Sequence, residues 1–468
     1  MQQLLSLTLV SVSLYLLVDG SRSDWPLLVT AVAGLTILTV LVARATRDAL
    51  SPMVLIAGSF VLRVGLPASY VLLFGLPVEY SWLPFGEHDV VAGSALGCAG
   101  VTVMLIGWNL AAARADRVGA RLSATVARYF VVDRATFHAA ALGLITGGVF
   151  FTIFLFANFG NPFGAIADGL LRSRDLRAEG TSRYVILGGG LVVQSAVCLV
   201  AFLYFVRKAP IWMSLLPAVC ATLLLSTLGG RVNALRALGV GLLLVWYGTD
   251  RPRRNTAILW ALPLTAGLAL LYAAFIHYYR GAGFTGGLFA LSRPGFLEYL
   301  ATTAWFEVSA FHPFAMASYL GAASIGLPVL STVGGALFEG SLGAIRPGEF
   351  MVQEAIRLGE HRWGLHTGIV IDLYMGVGIV GMILGCLAFG IVLRLAYATL
   401  IAHPDRPAPA ILYVLVLWNL FWVFWESLAT MATLVQFTIP FLVTVFLMAG
   451  LVRRGRSAAV GDPLMVLR

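Results

Sequence analysis

The sequence predicts an all-α membrane protein that crosses the bilayer about 12 times and carries one long outer-face loop over the bundle. Three observations lead there. Of 468 residues, 59% are hydrophobic and 11% charged, with a mean hydropathy of +0.90, whereas a soluble domain carries about 25% charged residues. Apolar runs near the length of a membrane helix, about 20 residues, recur along the chain. The net charge of +9 is almost all arginine, Lys208 being the single lysine, and the arginines gather in alternate connections between the runs. In such a chain a positive surplus sets orientation rather than binding nucleic acid.

Taken in order, the runs place helices near 2–18, 26–42, 52–74, 89–112, 135–157, 184–206, 210–229, 233–248, 256–277, 366–393, 409–427 and 431–451. The first 20 residues lack a basic leader region and a small-residue cleavage site, so they read as a retained first helix. With the N-terminus inside, the inner connections hold Arg44 and Arg47, Arg114 to Arg134, Arg207 and Lys208, Arg251 to Arg254, and Arg394 and Arg406; with the C-terminal tail these are 18 of the 31 Lys+Arg. Both termini are therefore expected in the cytoplasm. The whole chain, 1–468, reads as a single integral membrane domain. Its four cysteines lie in apolar runs, without metal spacing or an expected disulfide.

Two outer loops carry many charges. Residues 158–183 hold Arg172, Arg174, Arg177 and Arg183, with Phe163, Ile166 and Leu170 at the spacing of a surface helix. Residues 278–365 hold Arg280, Arg293, Arg346, Arg357 and Arg362 beside six glutamates, Glu307 and Glu339 among them. This second loop is expected to be an ordered extracytoplasmic cap, with a helical stretch from 295 to 320 that is either a surface helix or re-entrant.

The stretch 361–394 follows the cap. Asp372 lies about a turn inside its helix and is either a functional carboxylate or an interfacial acid facing water. His366 is about a turn before it, and a lone histidine there is either structural or catalytic. Gly381 and Gly385 form a GxxxG pair, expected to let a second helix approach. Arg231 and Arg236 follow the turn Gly229-Gly230, and Arg280 follows Tyr278-Tyr279. Each is either an arginine snorkelling to the interface or a phosphate ligand, because guanidinium matches phosphate oxygens with paired hydrogen bonds. Arg63, inside the third span, requires a partner that the sequence does not name. Neither a metal cluster nor a phosphate-binding glycine loop of the GxxxxGK[ST] form is present, so no metal, cofactor or ATP-driven step is expected.

The order of long loop, acidic residue, tyrosine, glycine-rich helix and arginine resembles the oligosaccharide repeat-unit polymerases of the O-antigen polymerase type. Their late signature reads G-E-x-Y-x-N-F-G-x-x-G; here it is Ile371-Asp372-Leu373-Tyr374-Met375-Gly376-Val377-Gly378-Ile379-Val380-Gly381, with Asp for Glu and no N-F pair. Some of these polymerases also carry Arg-x10-Gly in two outer loops, a spacing found here from Arg177 to Gly188 and from Arg357 to Gly368. The resemblance implies a GT-C-like bundle in the bacterial cytoplasmic membrane and an undecaprenyl-pyrophosphate-linked oligosaccharide as substrate. The glycan would pass to the terminal sugar of a second lipid-linked unit, with a flippase and a chain-length regulator as partners. It implies Asp372 as proton acceptor, with Glu339 and His366 as further acid–base candidates. Arg231, Arg280, Arg236, Arg293, Arg177 and Arg357 would then face the pyrophosphate. The competing readings are a ligase-like glycan transferase, a secondary transporter or flippase, and a non-catalytic membrane partner of a glycan assembly complex.

Overall fold

The computed structural model describes residues 2–19, 21–75, 84–159, 182–226, 231–249, 310–324, 367–403, 405–425 and 438–460. These residues are helical throughout, with no strand among them. The helices are α1 (Gln2–Asp19), α2 (Trp25–Thr46), α3 (Pro52–Phe74), α4 (Glu87–Tyr129), α5 (Arg134–Phe159), α6 (Ser182–Ala201), α7 (Ile211–Ser226), α8 (Arg231–Gly248), α9 (Phe311–Leu320), α10 (Gly368–Ile401), α11 (Pro407–Trp425) and α12 (Ile439–Val460). Seven segments are long and apolar enough to cross a membrane: α2, α3, α4, α5, α6 with its following π turn, α10 and α11. Each expected apolar run is helical where it is described; 256–277 lies outside the described residues.

Two elements are longer than the hydropathy runs suggest. Helix α4 has 43 residues and continues through the arginines that the sequence places in a connection. The continuation is rich in alanine and arginine and free of proline, so nothing stops it. Glu87 and Asp89 in its first turn and Arg128 in its last complement the helix dipole. Helix α10 likewise runs past Arg394 to Ile401.

The chain divides into two compact units. The first comprises Met1–Arg121, Phe306–Ala402 and Asn419–Leu434. Its axis is the pair α4 and α10, which pack on small residues: a Cβ at Gly107 would strike the Leu387 carbonyl, and one at Gly390 the Met104 carbonyl. Gly97 makes room for the rings of Phe60 and Phe314, and Gly100 for Val370. Beyond the apolar stretch the same pair is held by charge, with Arg394 Nη2 2.7 Å from Asp116 Oδ1 and its guanidinium 5.3 Å from the Trp108 ring. Tyr397 donates to Asp48 Oδ2 at 2.9 Å, while Asp48 Oδ1 accepts the Leu50 amide in the α2–α3 turn.

The second unit comprises Leu122–Trp305, His403–Trp418 and Val435–Arg468. Here α5 lies along α6, where Gly143 faces Ser195, and Gly241 of α8 faces Ala218 of α7. Tyr247 and Tyr413 meet edge to face at 5.1 Å with their hydroxyls 3.3 Å apart. Where α5 begins, Asp133 accepts the Thr136 amide as a helix cap and pairs with Arg453 of α12 at 2.7 Å. Burial by itself would push the Asp133 carboxyl up, but the Arg453 and Thr136 hydrogen bonds and the Arg453 charge outweigh it and hold it at about 2.

Candidate functional site

The site is built around the first half of α10. Gly368 opens this helix at φ 69°, and a Cβ there would strike the Phe424 carbonyl of α11, so both conformation and space require glycine. Thr367 precedes it, and its hydroxyl donates to Asp372 Oδ1 at 2.5 Å. The Asp372 side chain is 0% exposed, which sets aside an interfacial acid facing water. A carboxylate at this depth is costly unless hydrogen-bonded.

The first half ends at Gly378, whose φ of 78° and ψ of −168° break the helix. This is a finding against the continuous helix expected from hydropathy. The break turns the first half back, so Gly381 and Gly385 receive Val377 and Leu373 of α10 itself. The expected GxxxG contact with a second helix is therefore corrected: the close helix pair is made by Gly107 and Gly390 instead. Segment 310–324 meets the first half, where the Ala323 amide donates to the Tyr374 carbonyl at 3.0 Å. Ala323 adopts φ 54°, which costs a non-glycine residue about 1 kcal/mol.

Arg63 stands on the other side of α11's last residues. It lies in a π turn, Val61–Gly65, inside α3. Such a turn widens the backbone ring and offers a carbonyl sideways; the Arg63 carbonyl takes the Ala310 amide at 2.7 Å. Its guanidinium carbon sits 4.1 Å from the centre of the Trp425 ring, and Trp425 Nε1 donates to Ser59 Oγ at 3.2 Å. An indole face stabilises a desolvated cation by about 2 kcal/mol. Phe424, which backs Gly368, and Trp425, which carries Arg63, are consecutive, so the start of α10 and the half-buried arginine flank one short piece of α11. The arrangement gathers a held carboxylate, a cation on an aromatic face, a broken helix and a segment docked on that break.

Of the residues singled out from sequence, Asp372 belongs to this site. Arg236 belongs to the second unit, half-buried, with Nη2 2.7 Å from Thr438 Oγ1. Arg231 is the first residue of α8, but its side chain lies outside the described residues. Glu339, His366, Arg177, Arg280, Arg293 and Arg357 also lie outside them, as does most of 278–365; of the stretch 295–320, α9 is helical. Among the described residues no cluster of His, Cys, Asp or Glu has metal-binding geometry. Thr367, Trp425, Ser59 and Ala323 carried no sequence signal of their own. The break at Gly378 had one, the dense run Gly376-Val377-Gly378.

Fold and site together define a polytopic α-helical membrane protein with an ionisable centre in its first unit. Comparison with protein-family models, curated proteins and solved structures finds no match for the chain.

Proposed function

We propose that this protein is a membrane glycosyltransferase that polymerises undecaprenyl-pyrophosphate-linked oligosaccharide units at the outer face of the bacterial cytoplasmic membrane, with both termini inside. The observation that carries the reading is Asp372, fully buried at the head of a broken helix and oriented by the Thr367 hydroxyl. A carboxylate so placed suits proton abstraction from an attacking sugar hydroxyl. The donor's own pyrophosphate leaves, so no nucleotide site is required, and an arginine such as Arg63, in the same unit as Asp372, offsets charge growing on it. Under this reading the 278–365 loop caps the reaction site, and the protein works with a flippase and a chain-length regulator.

One observation favours a second reading. Secondary transporters place their substrate sites at discontinuous helices, and α10 is discontinuous at Gly378. A single reconstitution separates the two. In liposomes bearing the full-length protein and a lipid-linked oligosaccharide, a transferase lengthens the glycan and releases lipid pyrophosphate. A transporter moves intact substrate between leaflets without lengthening it, and that result would replace the first reading.

A further inference from the structure

We propose that Ser59 is a positioning residue, acting through Trp425 to aim the Arg63 guanidinium at the oxygens of a phosphate ligand. All three residues belong to the first unit. The identity of the ligand rests on the transferase reading; the seat itself stands on geometry.

Ser59 and Arg63 are four residues apart on α3, the first just before the π turn and the second inside it. Trp425 bridges them. The Ser59 hydroxyl donates to the Ile56 carbonyl at 2.9 Å, so its one proton is committed and its oxygen is left to accept. It accepts the Trp425 Nε1–H at 3.2 Å. Trp425 is buried, and an indole N–H that loses its acceptor in such a place leaves a costly unsatisfied donor. Ser59 thereby fixes the plane of the ring, and the face of that ring carries the Arg63 guanidinium carbon 4.1 Å from its centre.

A cation seated on an aromatic face is held without spending its N–H groups on the seat. The five guanidinium donors lie in one plane, where they match phosphate oxygens in pairs. The carboxylate pairs of Arg394 with Asp116 and of Arg453 with Asp133 spend such donors on holding the side chain. The Arg63 backbone is fixed as well. Pro67, four residues on, has no N–H to offer the Arg63 carbonyl, which takes the Ala310 amide at 2.7 Å instead. Ring plane, cation and backbone are thus set together, which suits recognition of a ligand by a fixed fork of donors.

Isothermal titration of the full-length protein in detergent with inorganic pyrophosphate tests the assignment. Wild type should bind and Arg63→Gln should not. Ser59→Ala should weaken binding about fivefold, the net effect of one hydrogen bond, at an unchanged melting temperature. Ser59→Thr, which keeps the hydroxyl, should restore it. Trp425→Phe keeps an aromatic face without the N–H and should weaken binding at least as much. Because Ser59 acts through that N–H, the double variant Ser59→Ala with Trp425→Phe should be no weaker than Trp425→Phe alone. A polyprenyl pyrophosphate titrated in parallel should bind more tightly if the ligand is a lipid headgroup, and equally if it is free pyrophosphate. Wild-type affinity in Ser59→Ala, or losses that add in the double variant, would overturn the role of Ser59. Absence of binding by wild type would overturn the phosphate site at Arg63. A protein that binds pyrophosphate in this pattern but lengthens no glycan would remove the transferase chemistry and keep the seat.

Discussion

The Tyr374 carbonyl of α10 takes its hydrogen bond from the Ala323 amide, 3.0 Å away and 51 residues earlier in the chain. This bond falls one turn before the Gly378 break and two residues after Asp372 in sequence. The backbone around the carboxylate is therefore held by a distant segment as well as by its own helix.

Gly378 is the position on which that geometry depends. Its φ and ψ of 78° and −168° lie in a region open essentially to glycine. Gly378→Ala should lower stability by about 1–3 kcal/mol, although among the described residues only Ala323 lies near the added methyl, at 4.0 Å. Thermal melting in detergent checks this. Gly58→Ala is the control, since that helical glycine has open space around it and alanine favours helix by up to about 1 kcal/mol. A Gly378→Ala protein that melts with the wild type would show that α10 is continuous.

The α4–α10 pair makes a second prediction. Gly107→Ala places a methyl on the Leu387 carbonyl, and backbone does not give way as a side chain does. The variant should lose about 1–3 kcal/mol by overpacking and express less. Gly450→Ala, with nothing near, should be neutral. Equal melting temperatures for the two variants would remove the close approach.

The Asp133–Arg453 latch predicts a pH dependence. The Asp133 carboxyl falls from an ordinary 3.8 to about 2 in the folded protein. A lowered carboxyl adds stability that is fully present above the unfolded value and lost as pH falls through the folded one. Stability should thus decline between about pH 4 and about pH 2, with Asp133→Asn lacking that part of the slope. Melting temperatures across that range supply the comparison; parallel curves for wild type and variant would contradict the latch.

How far the sequence carried these features differs by element. The seven helices long enough to cross a membrane among the described residues were legible because each holds a long apolar run, and α2, α3 and α11 follow their runs closely. The extension of α4 was not, because hydropathy reports burial in lipid while helix formation follows alanine content and the absence of proline. Asp372 was legible because a carboxylate in an apolar run is costly wherever it points. Its partner Thr367 was not, since a lone threonine before a helix has many uses. Arg63 was conspicuous, but its seat on Trp425 depends on a contact between α3 and α11 that no local spacing encodes. Gly381 and Gly385 were read as a helix-pairing motif because the break at Gly378, which turns them onto Val377 and Leu373, is a conformational fact rather than a compositional one.

The most direct test of the central claim is the polymerisation rate of Asp372→Asn, measured with lipid-linked oligosaccharide in liposomes alongside expression and melting temperature. Asparagine keeps the size of the side chain and an oxygen to accept the Thr367 hydroxyl, so the fold should persist. Loss of a general base should lower the rate about 100-fold or more, and Asp372→Glu, which restores a carboxylate, should recover part of it. A rate equal to wild type in a normally expressed Asp372→Asn protein would contradict the claim that this buried carboxylate carries the reaction.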